Sequence, residues 1–493
     1  MLFNSQLFLL FFPVVTLVYF VLPHRVRYLW LLAASYYFYM CWNAKYALLL
    51  LTSTAITYGS GLLLHRTRSQ GIRRVWVALS VASNLGILFF FKYYDFAVST
   101  LQRAANLLHL RLRIPAFDVL LPVGISFYIF QALSYTMDVY RQELEPERNF
   151  FRYALFVSFF PQLVAGPIER STNLLPQMSQ RHYFDADRVR DGLQLMLWGF
   201  FEKIVIADRA AIVVNQVYEH YQQIPSYGMV QILAAALLFS VQIYCDFGGY
   251  SHIAIGAAQV MGFELMDNFR QPYFATSIRE FWHRWHISLS TWFRDYLYIP
   301  LGGSRCGTLR RRINLMITFL VSGLWHGAAW NFVIWGGLHG LYQIVGEWLA
   351  PAGRQLRQGL HIAQDSPLLR AVQRLWTFLL VTVAWMFFRA SGMRDLILLV
   401  QKALGHRDWY MLWNGALLKL GLDGVEMAVL LAAMAVLFVV DLLHEHKVPL
   451  RQRINAWPVP ARWAVSMAGI AAVLLFGIYG AGYEAGAFIY FQF

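Results

Sequence analysis

Histidine takes and returns a proton near neutrality more readily than any other side chain, and His326 lies where an ionisable group is rarely found. A basic RRR at 310–312 is followed by the apolar run INLMITFLVSGLWHGAAWNFVIWGGLHG. With a helix beginning near Ile313, His326 falls about thirteen residues in, roughly 20 Å along the axis. That is well inside a hydrocarbon layer of ~30 Å. An ionisable group at such depth normally faces a cavity or a partner and marks a functional site. Gly323 and Gly327 thin the wall beside it, so that a backbone or a substrate can approach. Trp325 and Trp330 can line a slot, each with an apolar body and one N–H donor. A neutral imidazole there would raise the nucleophilicity of an incoming hydroxyl towards an activated acyl group. The charge developing on the carbonyl would then need a donor, a second histidine or a backbone N–H. The bland alternative is a buried histidine bonded to a neighbouring carbonyl.

The second candidate comes from SIREFWHRWHISLSTWFRDYLYIPLGG (277–303), too polar to cross lipid and too aromatic for a solvated loop. Read as one helix over 277–299, it places Ile278, Phe281, Trp282, Trp285, Leu289, Trp292, Phe293 and Tyr296 on one apolar face. Arg279, His283, Ser290 and Arg294 fall opposite. His286 lies on the edge of the apolar stripe, four after Trp282 and three before Leu289. His283 is therefore expected to reach headgroups or water, and His286 to turn inward. An interfacial amphipathic helix with two satisfied histidines is the plainer reading.

Other chemistries fit less well. The chain has no G-x-S-x-G for a serine nucleophile, and GAGYEAG (480–486) is out of step with a dinucleotide fingerprint. His283-x-x-His286 has the spacing of a metal pair but no cysteine or carboxylate partners on its side, so no metal is expected. Cys306, among four arginines, could form an acyl-cysteine, but it belongs at the lipid surface, away from His326. HEHK (444–447) reads as a solvated boundary. His326 and His339 have a spacing that could also hold a haem.

These candidates need elements to position them, and composition says which kind. The 493 residues are 58% hydrophobic, 17% aromatic and only 14% charged, against about 25% charged for a soluble chain. At ~20 residues per crossing there is room for ten to twelve helical passes. Apolar runs lie near 6–22, 28–42, 46–64, 75–96, 119–140, 192–214, 229–247, 313–349, 372–388, 425–442 and 463–480. Lys and Arg exceed Asp and Glu by 41 to 27, giving +14. The surplus sits in short connections between the runs, which points to anionic lipid rather than nucleic acid. The first apolar run lacks a basic leader and is expected to be a retained helix rather than a signal peptide. With the 24–27 and 65–74 loops cytoplasmic, the N-terminus lies outside; LLHLRLR (107–113) then suits an amphipathic interfacial segment. PQLVAGPIERSTNLLPQM (161–178), with three prolines, suits a broken or re-entrant piece. Three cysteines show no disulfide or metal spacing.

Several stretches together resemble the membrane-bound O-acyltransferases, and within them the bacterial alginate O-acetyltransferase-like branch. They are LLPVGISFYIFQALSYTMDVYR (120–141), FFPQLVAGPIER (159–170), YCDFGGYSHIAIG (244–256), NFRQPYFATSIREFWHRWHISLSTWFRDYLYIPLGGSR (268–305), SGLWHGAAWNFVIWGGLHG (322–340) and FIYFQF (488–493). The resemblance implies an all-α polytopic membrane protein: about eleven tilted transmembrane helices, with interfacial and re-entrant helices, around a thinned central tunnel. It implies one integral-membrane domain over 1–493 with its motif-bearing core at 120–345. It assigns the essential histidine to His326 and the second polar position to His286. Arg294 and Asp295 become donor-side candidates, and Trp325, Gly323, Gly327 and Trp330 tunnel-lining ones. His283 stands where relatives carry Arg or Asn, and GGYSH replaces the commoner SGYSD. The implied reaction moves an acetyl or other acyl group from a cytoplasmic thioester, acetyl-coenzyme A or another, to a hydroxyl of an extracytoplasmic polysaccharide such as alginate, cellulose or peptidoglycan. Transfer would be direct or through a periplasmic acetyltransferase partner, at the bacterial inner membrane and with no bound cofactor. The rivals are a proton-coupled transporter or flippase using the histidines as a relay, and a scaffold in which they are dispensable. The transporter reading calls for paired broken helices in corresponding halves, which the sequence does not show.

Overall fold

The computed structural model describes residues 1–110, 112–117, 121–164, 166–363, 366–479 and 489. Among these every regular element is helical. Six helices are long and apolar enough to cross a membrane: Ala44–Arg66, Gln70–Leu107, Met229–Met261, Pro367–Arg389, Gly424–Glu445 and Val459–Phe476. Outward-facing leucines, valines and tryptophans are common on them (Leu431, Val439, Trp376, Leu474), as expected where the solvent is lipid. The chain is a multi-pass membrane protein. It divides into two compact units, residues 1–193 with 253–266, and residues 194–252 with 267–493.

In the first unit the helix Ile125–Arg141 is buried on nearly all sides. Glycine lets a neighbour close on it: a Cβ on Gly61, in the helix Ala47–Arg66, would lie 2.7 Å from the Tyr135 ring. The proline-rich stretch is broken as its composition requires. Phe150–Ser158 stops before Phe160–Leu163, and the described residues between these and Ser171–Gln177 form no regular element. Buried Glu169 braces the irregular part, accepting from Asn173 Nδ2 at 2.8 Å and from the Met266 N–H at 2.5 Å. The described part of LLHLRLR forms no helix beyond its first residue. The preceding helix ends at Leu107, His109 turns with φ 57°, and the described residues beyond it have no regular structure.

In the second unit the long apolar run at 313–349 is not one span. It is a helical hairpin, Thr308–His326 and Trp330–Gly359. The run breaks at Gly327–Ala329, where the backbone is extended. A Cβ on Gly327 would sit 2.3 Å from the Phe332 ring, so the tight connection needs a glycine. The arms then touch backbone to backbone: a Cβ on Gly323 would meet the Phe332 carbonyl at 2.2 Å, and one on Gly336 the Phe319 carbonyl at 2.2 Å. Small residues four apart, Gly336 and Gly340, form the seam, the usual device for helix contact without a hydrophobic drive.

Candidate active site

The hairpin carries His326 to the end of its first helix rather than to mid-span. The pattern gave a later start because the arginines at 310–312 look like a connection; they form the helix's first turns instead, and the helix runs until Gly327 stops it. His326 is 3% exposed. Its ring packs edge-on against Trp325 and Trp335, both at 5.0 Å, and against Phe388 at 5.6 Å. Asn331 ties the second arm in place by donating to the carbonyls of Phe387 (3.2 Å) and Ala390 (3.0 Å), at the end of the helix Pro367–Arg389.

The segment at 277–299 is likewise not one helix. Ser277 caps a short helix, Ile278–Arg284. The chain turns at Trp285 and His286 and resumes as Ile287–Phe293, followed by a wide π-helical turn over Arg294–Tyr298. His286 adopts φ 43° and ψ 54°, left-handed backbone that costs a non-glycine residue about 1–2 kcal/mol. Two backbone bonds to the preceding strand of chain hold the turn: Arg270 N–H to the Arg284 carbonyl (2.9 Å) and Ile287 N–H to the Asn268 carbonyl (3.0 Å). Outside it, Arg284 pairs with Glu280 (2.6 Å) and Glu445 (2.6 Å), and Arg374 joins Glu445 at 2.8 Å. The HEHK boundary thus contributes a carboxylate that clamps the turn.

The turn brings the two histidines together. His286 is fully buried, and its ring centre lies 6.2 Å from that of His326, with Trp325 against both. One hydroxyl or one carbonyl oxygen could touch both rings. Asn268 stands on the other side of His286: its Oδ1 is 3.3 Å from Nδ1 and accepts from the Ser288 hydroxyl at 2.7 Å. Its amide nitrogen donates to Ser251 Oγ at 3.1 Å. Neighbouring motif residues form a separate buried set. Asp246 accepts from Lys203 at 2.5 Å and from the Ile489 N–H at 2.8 Å, and His252 meets buried Glu202 at 2.6 Å.

A cavity of about 680 Å³ is lined by residues that neighbour the pair along the chain, Ile287 beside His286 and Ser322 one turn before His326. All four residues expected opposite the apolar stripe, Arg279, His283, Ser290 and Arg294, line it. So do Arg305, Arg311 and Arg312, with Glu347 as the single carboxylate among the described lining residues. Its buried lining includes Trp282, Leu289, Phe293 and Ser322. His326 is not itself on this wall; Ser322, one helical turn before it, is. Asp295 stays outside the lining but pairs with Arg294 at 2.7 Å.

The remaining candidates are placed differently from the expectation. Trp325 is buried beside the histidines, whereas Trp330 is 46% exposed, because the chain reverses at 327–329 and starts the second helix with that side chain outward. At Gly323 and Gly327, protein fills the space a Cβ would take. Trp335 packs against both His326 (5.0 Å) and His339 (5.1 Å), so the slot a haem would need between them is occupied. His339 instead accepts the Trp282 indole N–H at 3.2 Å. Among the described residues no histidine, cysteine and carboxylate cluster could hold a metal. GAGYEAG and, apart from Ile489, FIYFQF lie outside the described residues. Sequence reasoning missed Asn268, Trp335, Ser322 and the inward use of Arg311 and Arg312. The only available signal for Asn268 was a lone amide at the head of an aromatic motif.

The model of the membrane-bound O-acyltransferase family matches residues 30–388. The chain is 39% identical over 438 residues to a protein of Pseudomonas putida named "Probable alginate O-acetylase AlgI", covering 88% of this chain and 86% of the relative. It is 36% identical over 437 residues to a peptidoglycan O-acetyltransferase of Helicobacter pylori, covering 82% and 80%. A teichoic acid D-alanyltransferase of Bacillus subtilis is 28% identical over 239 residues, 46% of this chain and 58% of the relative. With most of its length matched and two helix breaks bringing its motif histidines side by side, the chain belongs to the membrane-bound O-acyltransferase family, as a multi-pass membrane enzyme.

Proposed function

We propose that the protein moves an acetyl group from a cytoplasmic thioester, acetyl-coenzyme A or a related donor, to a hydroxyl of an extracytoplasmic polysaccharide at the bacterial inner membrane. The acceptor is the polymer itself or a periplasmic acetyltransferase that relays the group. The observation that carries this reading is the buried pair His286 and His326, 6.2 Å between ring centres, with Ser322, one turn before His326, on the wall of an arginine-lined cavity. Phosphates or other anionic groups of a donor suit Arg279, Arg294, Arg305, Arg311 and Arg312, since guanidinium forks bind phosphate in a bidentate manner. The thioester end would then lie towards Trp282 and Ser322.

His326 accepts the proton of the acceptor hydroxyl as its oxygen attacks the thioester carbonyl. The C–S bond breaks as the ester forms, and the departing sulfur takes the proton back from the imidazolium. His286 is the second imidazole at the reacting centre. The relatives' names, an O-acetylase, an O-acetyltransferase and a D-alanyltransferase, support transfer to a cell-surface polymer. None of the three supports the transporter reading. The test is O-acetylation of surface polysaccharide in cells carrying His326→Ala at wild-type protein abundance. Acetylation is expected to vanish, and unchanged acetylation would remove His326 from the mechanism.

A further inference from the structure

Asn268 does more than pack. Its side chain has one acceptor atom and one donor group, and its neighbours decide which faces His286. The Ser288 backbone N–H, which can only donate, lies 3.4 Å from the atom that also takes the Ser288 hydroxyl at 2.7 Å. That atom must be the carbonyl oxygen. The amide nitrogen is turned to Ser251 Oγ at 3.1 Å, whose lone pairs accept it. So the atom 3.3 Å from His286 Nδ1 is an acceptor, and a neutral imidazole can answer it only by carrying its proton on Nδ1. Its other nitrogen, Nε2, then holds the lone pair. The arrangement is rigid: Ser251, Asn268, His286 and Ser288 are all buried. The Asn268 backbone carbonyl receives the Ile287 N–H at 3.0 Å, fixing the residue to the very turn that carries His286.

We infer that Asn268 is a positioning residue that locks His286 as its Nδ1–H tautomer, so that Nε2 enters the transfer as an acceptor of hydrogen bonds and protons. The transfer part rests on the proposed role of His286 in acyl transfer. Neutral His286 then has no N–H to offer a developing oxyanion. Its lone pair faces the reacting centre as an acceptor, beside His326, which takes the proton of the acceptor hydroxyl. The stabilising donor for the carbonyl oxygen must come from another group. The left-handed backbone at residue 286 belongs to the turn that presents Nδ1 to an amide eighteen residues earlier.

The test uses the full-length chain in detergent micelles with ring-¹⁵N histidine. The His286 signals are identified by their loss in His286→Asn, since asparagine tolerates a left-handed backbone. The expected result at neutral pH is a protonated Nδ1 and an imine-type Nε2. Asn268→Asp, which keeps an acceptor, should preserve that signature. Asn268→Leu should abolish it and lower polysaccharide acetylation by about a hundredfold or more, the scale of a misplaced or wrong-tautomer imidazole. A wild-type Nε2–H overturns the inference whatever the leucine variant does to folding. So does an unchanged signature in Asn268→Leu of wild-type Tm. If instead the signature is as stated but His286→Asn acetylates normally, the proposed role of His286 fails, and Asn268 merely orients a structural ring.

Discussion

Replacing Gly336 by alanine tests the hairpin that positions His326. The added methyl would lie 2.2 Å from the Phe319 carbonyl oxygen and 3.1 Å from the Gly323 Cα. Ordinary contact begins near 3.4 Å, so the arms must open by about 1.2 Å, and backbone cannot move aside as a side-chain tip can. Overpacking of this kind costs about 1–3 kcal/mol. Trp335, against which the His326 ring packs, immediately precedes Gly336, so the same opening shifts the imidazole. A misplacement of ~1 Å at a reacting group costs about a hundredfold in rate. Two glycines of the same helix serve as controls. A Cβ on Gly337 would meet only the tip of Leu320, at 3.3 Å, and one on Gly346 would meet nothing within 4 Å. Alanine at 346 should be neutral or slightly stabilising, because glycine inside a helix costs about 0.5–1 kcal/mol relative to alanine. The assay is the Tm of the detergent-purified variants beside polysaccharide acetylation in cells at matched abundance. The expected order is Gly336→Ala lowest, then Gly337→Ala, with Gly346→Ala at or above wild type. A Gly336→Ala variant with wild-type Tm and activity would refute the close-packed hairpin.

Two further outcomes follow from the cavity and the clamp. Arg311→Ala and Arg312→Ala should raise KM for the thioester with little change in kcat, and weaken the salt dependence of KM, because uniform binding of an anionic donor is what they supply; a fall in kcat alone would place the donor elsewhere. At the clamp, burial pushes the Glu280 carboxyl up. Hydrogen bonds from the Thr276 hydroxyl and N–H and the Arg284 guanidinium outweigh this and hold it below the usual glutamate range. Its contribution is therefore complete above the ordinary glutamate value of ~4.3 and is lost as pH falls through the lowered one. The Tm gap between wild type and Glu280→Gln should be full at pH ~6 and close in stronger acid; a gap that widens on acidification contradicts the pairing.

Composition alone fixed the solvent of this protein. So little charge and so many apolar runs leave helices in lipid as the stable solution, because every backbone group must be paired within its own segment. Types and spacing also singled out His326 and His286, and the polar set Arg279, His283, Ser290 and Arg294, which does share a wall. What periodicity could not supply was the breaks. A 3.6-residue pattern continues smoothly through Trp285–His286 and through Gly327, since a face is defined only while the helix lasts. The breaks come from contacts distant in sequence: Asn268 and Arg270 bonding across to the 284–287 turn, and Phe332 filling the space that Gly327 leaves. Those contacts put the two imidazoles 6.2 Å apart, left Trp330 exposed, closed Gly323 against the second arm of the hairpin, and chose the nitrogen of His286 that faces an amide. Local chemistry names the reagents; only packing between remote segments sets their distance and their tautomer.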